Sequence, residues 1–585
     1  MFLLLLLLFL LLLLYLCSNF IRLLIRQCRS PLLRLPGPPS QSFLTGNLEQ
    51  MHDMANSDLL SQWEAKYGPN YAYKGFLSGS RLMTTDPVTL SYILGHAYDY
   101  PKPDFVRDTL AAMGAGDEGL VTSEVTHGPP TSPAFSLSHI KSLTPIFWDK
   151  AEQLRDIWLQ SSGNPVRVDA LSYLARATLD VIGLAGFGYH FDSLSSCDNT
   201  NELAHAFSVI FSTARKFRLV TILQVWFPIL RRFRPHNVTM AAAHATMRRI
   251  GLELIQERRE AVTNEMREKK TMLLDGNKTI LGRDILSVLI RSNLSASSSE
   301  QMSLPEILSQ ISTFLAAGHE TTASALTWCL YALVTNPDAQ AVLRKELRLL
   351  DALEGDRERL TDEIMKCQYL DWVVRETLRL HSPVTNTMRV CMRDEDEIPV
   401  DCSSTSTAPG GYLDKDGVRR YTIKVKKWDI ITIPIQAIND SERLWGEDSK
   451  DFRWDELLDP SACVEIDSLV TRPERWAART TLRANSIPGL YSNIMTFLNG
   501  NPIDGNRSCI GYKFALLEIK IFLYVLLKDL EFSIDPAMVI EKRVNVVTRP
   551  FVKSEPQLGN QLPLFVHPVS RSDVKANVAI AQTAQ

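Results

Sequence analysis

The chain opens on an unbroken apolar run, MFLLLLLLFLLLLLYLCSNFI, with no charge in residues 1–21. As a helix, such a run is long enough to cross about 30 Å of hydrocarbon. It predicts a transmembrane anchor over 1–21. Arg22, Arg26, Arg29 and Arg34 follow, and cations on that flank keep the rest of the chain cytosolic. A cleaved signal peptide is the competing reading, but there is no basic start and no small-residue cleavage site. Residues 22–40 read as a basic, proline-rich hinge, because LPGPPS at 35–40 breaks any helix and stiffens the backbone.

The body, 41–568, changes its pattern twice. Residues 41–120 mix strand-like pieces, YAYKGF and RLMTT, with helical ones. From about 140 to 390 the spacing is mainly helical. RVDALSYLARATLDVIGLAGFG is apolar on nearly every side and predicts a buried helix. The stretch 204–233 is rich in large apolar residues and reads as core, or as a segment dipping into a membrane interface. Residues 256–282 are charged and read as a solvated helix or loop. After 390, short strands and turns take over, as in TIKVKKWDIITIPI, and a last helix starts beyond Cys509. The tail, 569–585, is small and polar and predicts disorder. The fold class is mainly α with small β-sheets.

Composition narrows the partners. A net charge of −3 on 585 residues gives no reason to expect nucleic acid. Nine cysteines, an odd number with no CxxC pair, argue against a disulfide framework and for a reducing compartment.

Three stretches carry candidate chemistry. In ISTFLAAGHETTASALTWCLYAL, 311–333, glycine and hydroxyl residues interrupt a long apolar helix and weaken its hydrogen-bond ladder. One reading is a packing kink with a solvated acid. The other is a widened groove for a small molecule, where Glu320 and Thr321 pass protons inward. His319 beside them reads more simply as a core or surface histidine. In VVRETLRLHSPV, Glu376 and Arg379 share a helix face at i, i+3, and Arg475 of RPERW would complete a buried Glu–Arg–Arg cluster. In NRSCIGYKFAL, Cys509 precedes a helix, where free N–H groups and Arg507 stabilise a thiolate. Gly511 lets a flat group approach the backbone. A small buried hydrophobe is the bland reading of that cysteine; a haem iron ligand is the sharper one.

Taken in order, these motifs resemble the cytochrome P-450 family of haem-thiolate monooxygenases, over about 35–568. They are the proline hinge, Ala-Gly-x-Glu-Thr-Thr at 317–322, Glu-x-x-Arg at 376–379, Pro-Glu-Arg-Trp at 473–476 and Gly-x-Arg-x-Cys-x-Gly at 505–511. The anchor and ATLDVIGLAGFG look like the endoplasmic reticulum type, most similar to fungal members. The resemblance implies a triangular helical body binding haem b. Cys509 would be the axial ligand, with Ala317, Gly318 and Gly511 lining the haem. Arg389 and Arg507 would pair with propionates, Glu320 and Thr321 would deliver protons, and Glu376, Arg379 and Arg475 would be structural. It further implies O2, a lipophilic substrate (terpenoid, fatty acid or aromatic, in secondary metabolism), and an NADPH-dependent reductase docking near Lys513, with cytochrome b5 as a second donor. The implied location is the endoplasmic reticulum membrane, single-pass, with the catalytic domain cytosolic.

The chain departs from that family pattern in three places. Phe497 stands twelve residues before Cys509 rather than seven, with NPIDG at 501–505 as the extra length. WDELLDPSACVEIDSLVTR at 454–472 splits Phe452 and Arg453 from Pro473. After His127 the chain reads GPPTSPAF, and no arginine follows until Arg155. The alternatives to a monooxygenase are a haem-thiolate isomerase or dehydratase that needs no reductase, and a catalytically impaired relative or mis-spliced gene product.

Overall fold

The computed structural model describes residues 2–53, 57–112, 118–122, 132–160, 165–195, 201–214, 238–271, 282–296, 301–353, 355–403, 410–452, 486–500, 507–544 and 546–569. His127 and the GPPT that follows it, the stretch 215–233, Arg475, both extra segments (454–472 and 501–505) and the tail beyond Val569 lie outside the described residues.

The chain is mainly helical. Helix α1, Phe2–Cys28, begins with the apolar run and continues seven residues beyond it. The hinge is less of a spacer than its prolines suggest. Leu32 and Leu35 are buried, the Ala72 amide donates to the Pro36 carbonyl, and a Cβ at Gly37 would lie 1.8 Å from the Ala72 oxygen. Only glycine permits that approach.

The strands form small sheets, as expected. β1 (Asn70–Lys74) and β2 (Ser80–Thr84) are the YAYKGF and RLMTT pieces. They join β9 (Ile430–Ile433) and β4 (Thr387–Val390) in the order β1-β2-β9-β4. A second sheet runs β10 (Leu530–Ser533), β13 (Pro563–Pro568), β3 (Val166–Asp169). Three two-stranded ribbons complete the set: β5 (Glu395–Pro399) with β8 (Thr422–Lys426), β6 (Tyr412–Leu413) with β7 (Arg419–Arg420), and β11 (Ile540–Val544) with β12 (Thr548–Val552).

Five helices build the core around the site. They are α2 (Thr144–Gln160), α3 (Ala170–Ile182), α4 (Leu304–Thr335), α5 (Gln368–Leu380) and α6 (Tyr512–Asp529). A capping box starts α4: the Ser303 hydroxyl accepts from the Glu306 amide, and the Glu306 carboxylate accepts from the Ser303 amide. α4 then runs 32 residues without a break. The ladder weakening expected at Ala-Gly-His-Glu-Thr-Thr therefore does not interrupt the helix; the Thr321 hydroxyl bonds the Ala317 carbonyl instead, at 2.6 Å.

α3 is buried as predicted, although the RVD of its motif belongs to β3. It is apolar and long enough, with the turn that follows, to span a membrane, but two-thirds of Ala170–Phe187 is covered by protein. It packs on α4 at small residues: Gly318 leaves a Cβ position only 3.0 Å from Ile182, and the Thr178 hydroxyl donates to the His319 carbonyl. α6 is buried over most of its length against α2, with Phe147 edge-on to Phe514 at 4.8 Å. Each large side chain buried here contributes about 1.5–3 kcal/mol.

Candidate active site

Cys509 sits three residues before α6, as the sequence predicts, and its amide donates to the Phe497 carbonyl at 2.9 Å. Phe497 and Cys509 therefore meet although the sequence carries five extra residues between them. A longer closed loop costs little, about 0.6 kcal/mol per doubling. The thiol keeps open surface, yet enough protein crowds it that lost hydration pushes it above its ordinary value, while the Gly511 N–H pulls it down. The lowering expected from Arg507 and the helix end is thus outweighed in the thiol itself.

The loop is positioned through the Glu376–Arg379 pair. That pair is bidentate, at 2.9 and 2.7 Å, and both side chains are almost wholly buried. Desolvation weakens the guanidinium's charge, but the Glu376 carboxylate prevails and holds it above its ordinary value. Arg379 also donates to the carbonyls of Asn439 and Ser449. The Asn439 side chain in turn accepts from the Met495 amide and donates to the Thr496 hydroxyl. Phe497 is the next residue. A continuous set of hydrogen bonds thus runs from Glu376 to the backbone that holds Cys509.

Across from the cysteine, Phe135 ties the two halves of the site. Its ring edge is 3.9 Å from where a Gly511 Cβ would stand, and it meets Phe314 of α4 edge-on at 5.4 Å. One turn beyond Phe314, Ala317 is exposed and Gly318, Glu320 and Thr321 are half-open, while the helix C-terminal to Thr321 is almost continuously buried. Accessible surface midway along a core helix means internal space beside Ala317. It is made by small side chains, with no turn lost.

Glu320 is ion-paired with Arg549 of β12. Two anchors hold β12 to α4 one residue away: the Ser324 hydroxyl donates to the Thr548 carbonyl at 2.6 Å, and Trp328 Nε1 donates to the Thr548 hydroxyl at 3.1 Å. Ser324 is one turn after Glu320, so Thr548 fixes the strand where Arg549 meets the acid. His319 Nε2 lies 3.6 Å from Glu320, but burial lowers that imidazole to about 4 and keeps it neutral. Its Nδ1 bonds the Leu315 carbonyl and its ring packs on Phe207. It is a core histidine.

Arg549 is the residue that reading the sequence missed. Its signal was a lone cation in the apolar strand VVTRPFV, ambiguous until the strand had a partner. Arg549→Gln is expected to cost about 1.5–3 kcal/mol, the range for a hydrogen bond to a charged group, with Arg549→Lys losing less. The denaturant midpoint of each variant measures this.

Arg389 is buried on β4, where it donates to the Thr387 hydroxyl and Met388 carbonyl. Arg507 is half-buried two residues before the cysteine. Arg155, the first arginine after His127, is engaged by Asp156 and Asp529.

Comparison with known proteins shows the family. Residues 36–398 match the cytochrome P450 family model. Cytochrome P450 monooxygenase 205 of Postia placenta is 38% identical over 559 residues, covering 94% of this chain and 95% of that protein. Cytochrome P450 monooxygenase 128 of the same fungus is 38% identical over 93% and 94%. Ganoderic acid synthetase of Ganoderma lucidum is 30% identical over 86% and 89%.

Proposed function

Because the chain belongs to the cytochrome P450 family and is a monooxygenase, we propose that it inserts one oxygen atom of O2 into a lipophilic substrate while α1 holds it to the endoplasmic reticulum membrane, its body cytosolic. Electrons come from NADPH through a membrane-bound reductase, approaching the face that carries Lys513, with cytochrome b5 as a second donor. One relative is named for ganoderic acid synthesis, and by analogy we place the reaction in secondary metabolism.

Family membership implies haem with a cysteine thiolate, and the residues present fit that group. Cys509 offers a sulfur donor with open surface. Among the described residues, the nearest side chain to the missing Cβ of Gly511 is Phe135 at 3.9 Å, and Ala317 is exposed on the facing helix. Arg389 and Arg507 supply two guanidiniums for two propionates. When bound, the haem supplies the redox centre at which oxygen is activated.

The protein's own residues bind, orient and move protons. Apolar neighbours such as Phe135, Phe207, Phe314 and Val547 favour a lipophilic guest and exclude water. Glu320 holds the proton-accepting carboxylate at the edge of the open space, and Arg549 fixes its direction. The Thr321 hydroxyl, resting on the Ala317 carbonyl, relays a proton from Glu320 toward that space. The observation that carries this reading is the cysteine loop facing, through Phe135, the open stretch of α4 that holds both Glu320 and Thr321.

The test is turnover with NADPH and reductase. Product is expected only when both are present; product indifferent to both overturns oxygen insertion. In Thr321→Ala, NADPH use should persist while product per NADPH falls by up to about 10²-fold, the lower end for a lost proton-transfer group, and peroxide rises. Tight coupling in that variant removes Thr321 from the relay.

A further inference from the structure

We propose that the cleft between α1 and the β1-β2-β9 sheet seats the phosphate of an anionic membrane lipid. The inference rests on the reading of α1 as an anchor. The cleft is lined by Arg26, Gln27 and Ser30 on one side and by Ser80, Arg81 and Trp428 on the other.

Arg81 carries the argument. It is 9% exposed, and its side chain lies over the bare backbone of Gly75, with Nε 2.4 Å from where a Cβ would stand. Its guanidinium sits 5.8 Å from the centre of the Phe105 ring. Among the described residues, no carboxylate pairs with it and no acceptor takes a hydrogen bond from its side chain. A buried guanidinium with five donors and no counter-charge is costly unless an anion completes it.

The surroundings add to the positive excess. Lys74 donates to the Ser80 hydroxyl, and burial followed by the charge of Lys415 lowers its ammonium below the ordinary value. Lys415 itself is held to the Leu33 carbonyl. Asp429 is the acid in the wall, and it faces Arg26. Its two oxygens are taken by the Ser30 hydroxyl and the Lys426 amide, each at 2.9 Å. A planar guanidinium beside hydroxyl and amide donors is suited to a phosphate.

The position selects a lipid. Arg26 follows Ile21, the end of the uncharged run, by five residues, or about 7.5 Å along a helix. That is headgroup depth for an anchor spanning 1–21. Trp428 is exposed at the rim, and its amphipathic ring favours the membrane–water boundary.

Full-length protein in nanodiscs provides the test, with phosphatidylcholine alone, phosphatidylcholine plus phosphatidic acid, and phosphatidylcholine plus inorganic phosphate. Phosphatidic acid is expected to raise the melting temperature, and Arg81→Gln to weaken its apparent affinity by about tenfold or more. Arg81→Lys should fall between. In phosphatidylcholine alone Arg81→Gln should melt no lower than wild type, because it removes a buried cation that no protein group balances. Equal response to phosphatidic acid in wild type and Arg81→Gln overturns the site, and an equal rise with inorganic phosphate overturns the lipid as its source. Failure of the anchor reading looks different: the protein would not float with vesicles of either composition, whatever stands at position 81.

Discussion

Glu376→Ala is expected to destabilise the protein by about 3–5 kcal/mol, because it leaves Arg379 as a charged group with no carboxylate bonded to it in a nearly dry interior. Total stabilities run about 5–15 kcal/mol, so the variant should show a much lower denaturant midpoint or fail to accumulate. The effect should reach beyond stability. Arg379 holds the Asn439 carbonyl, and the Asn439 side chain holds Met495 and Thr496, directly before the residue that bonds the Cys509 amide. Any Glu376→Ala protein that does fold should therefore load haem poorly. Glu376→Asp, which keeps the charge but shortens the reach, should recover part of both. An unchanged midpoint with full haem loading would mean that the pair neither supports the core nor places the loop.

Cys509→Ser should separate ligation from folding. Serine keeps the backbone bond to Phe497 and removes only the sulfur, in a side chain that is already accessible. The denaturant midpoint should move by less than about 1 kcal/mol equivalent, while the spectroscopic signature of a thiolate-bound haem vanishes completely. The buried cysteines of the core make poor substitutes. Burial pushes the thiols of Cys329 and Cys367 up to about 12 and that of Cys391 up to about 11, and none of the three offers the open surface that Cys509 keeps. Persistence of the thiolate signature in Cys509→Ser would show that another sulfur is the ligand.

The legible parts of the molecule were those with a local physical cause. The two strands after the hinge, the buried α3, the last helix beyond Cys509 and the Glu376–Arg379 face all follow from periodicity or i, i+3 spacing. The unbroken course of α4 was not legible. Gly318 and Thr321 lower helix preference locally, but packing on α3 and the Thr321–Ala317 bond keep the turn. Arg549 was hidden for a different reason: its partner is 229 residues away, and no local pattern distinguishes such a pair from an exposed cation. The balance around the cysteine is not legible either, since a sequence shows a neighbouring arginine and a helix start but not how much water the fold removes. The packing of the hinge is not legible because proline stiffness is local, whereas the contact of Gly37 with Ala72 is not.

The most direct measurement of the central claim is the carbon monoxide difference spectrum of the reduced, haem-supplemented full-length protein. Ligation by Cys509 predicts the long-wavelength band of a thiolate-bound haem, in proportion to protein. A colourless protein, or a band typical of imidazole or water in place of sulfur, would contradict it.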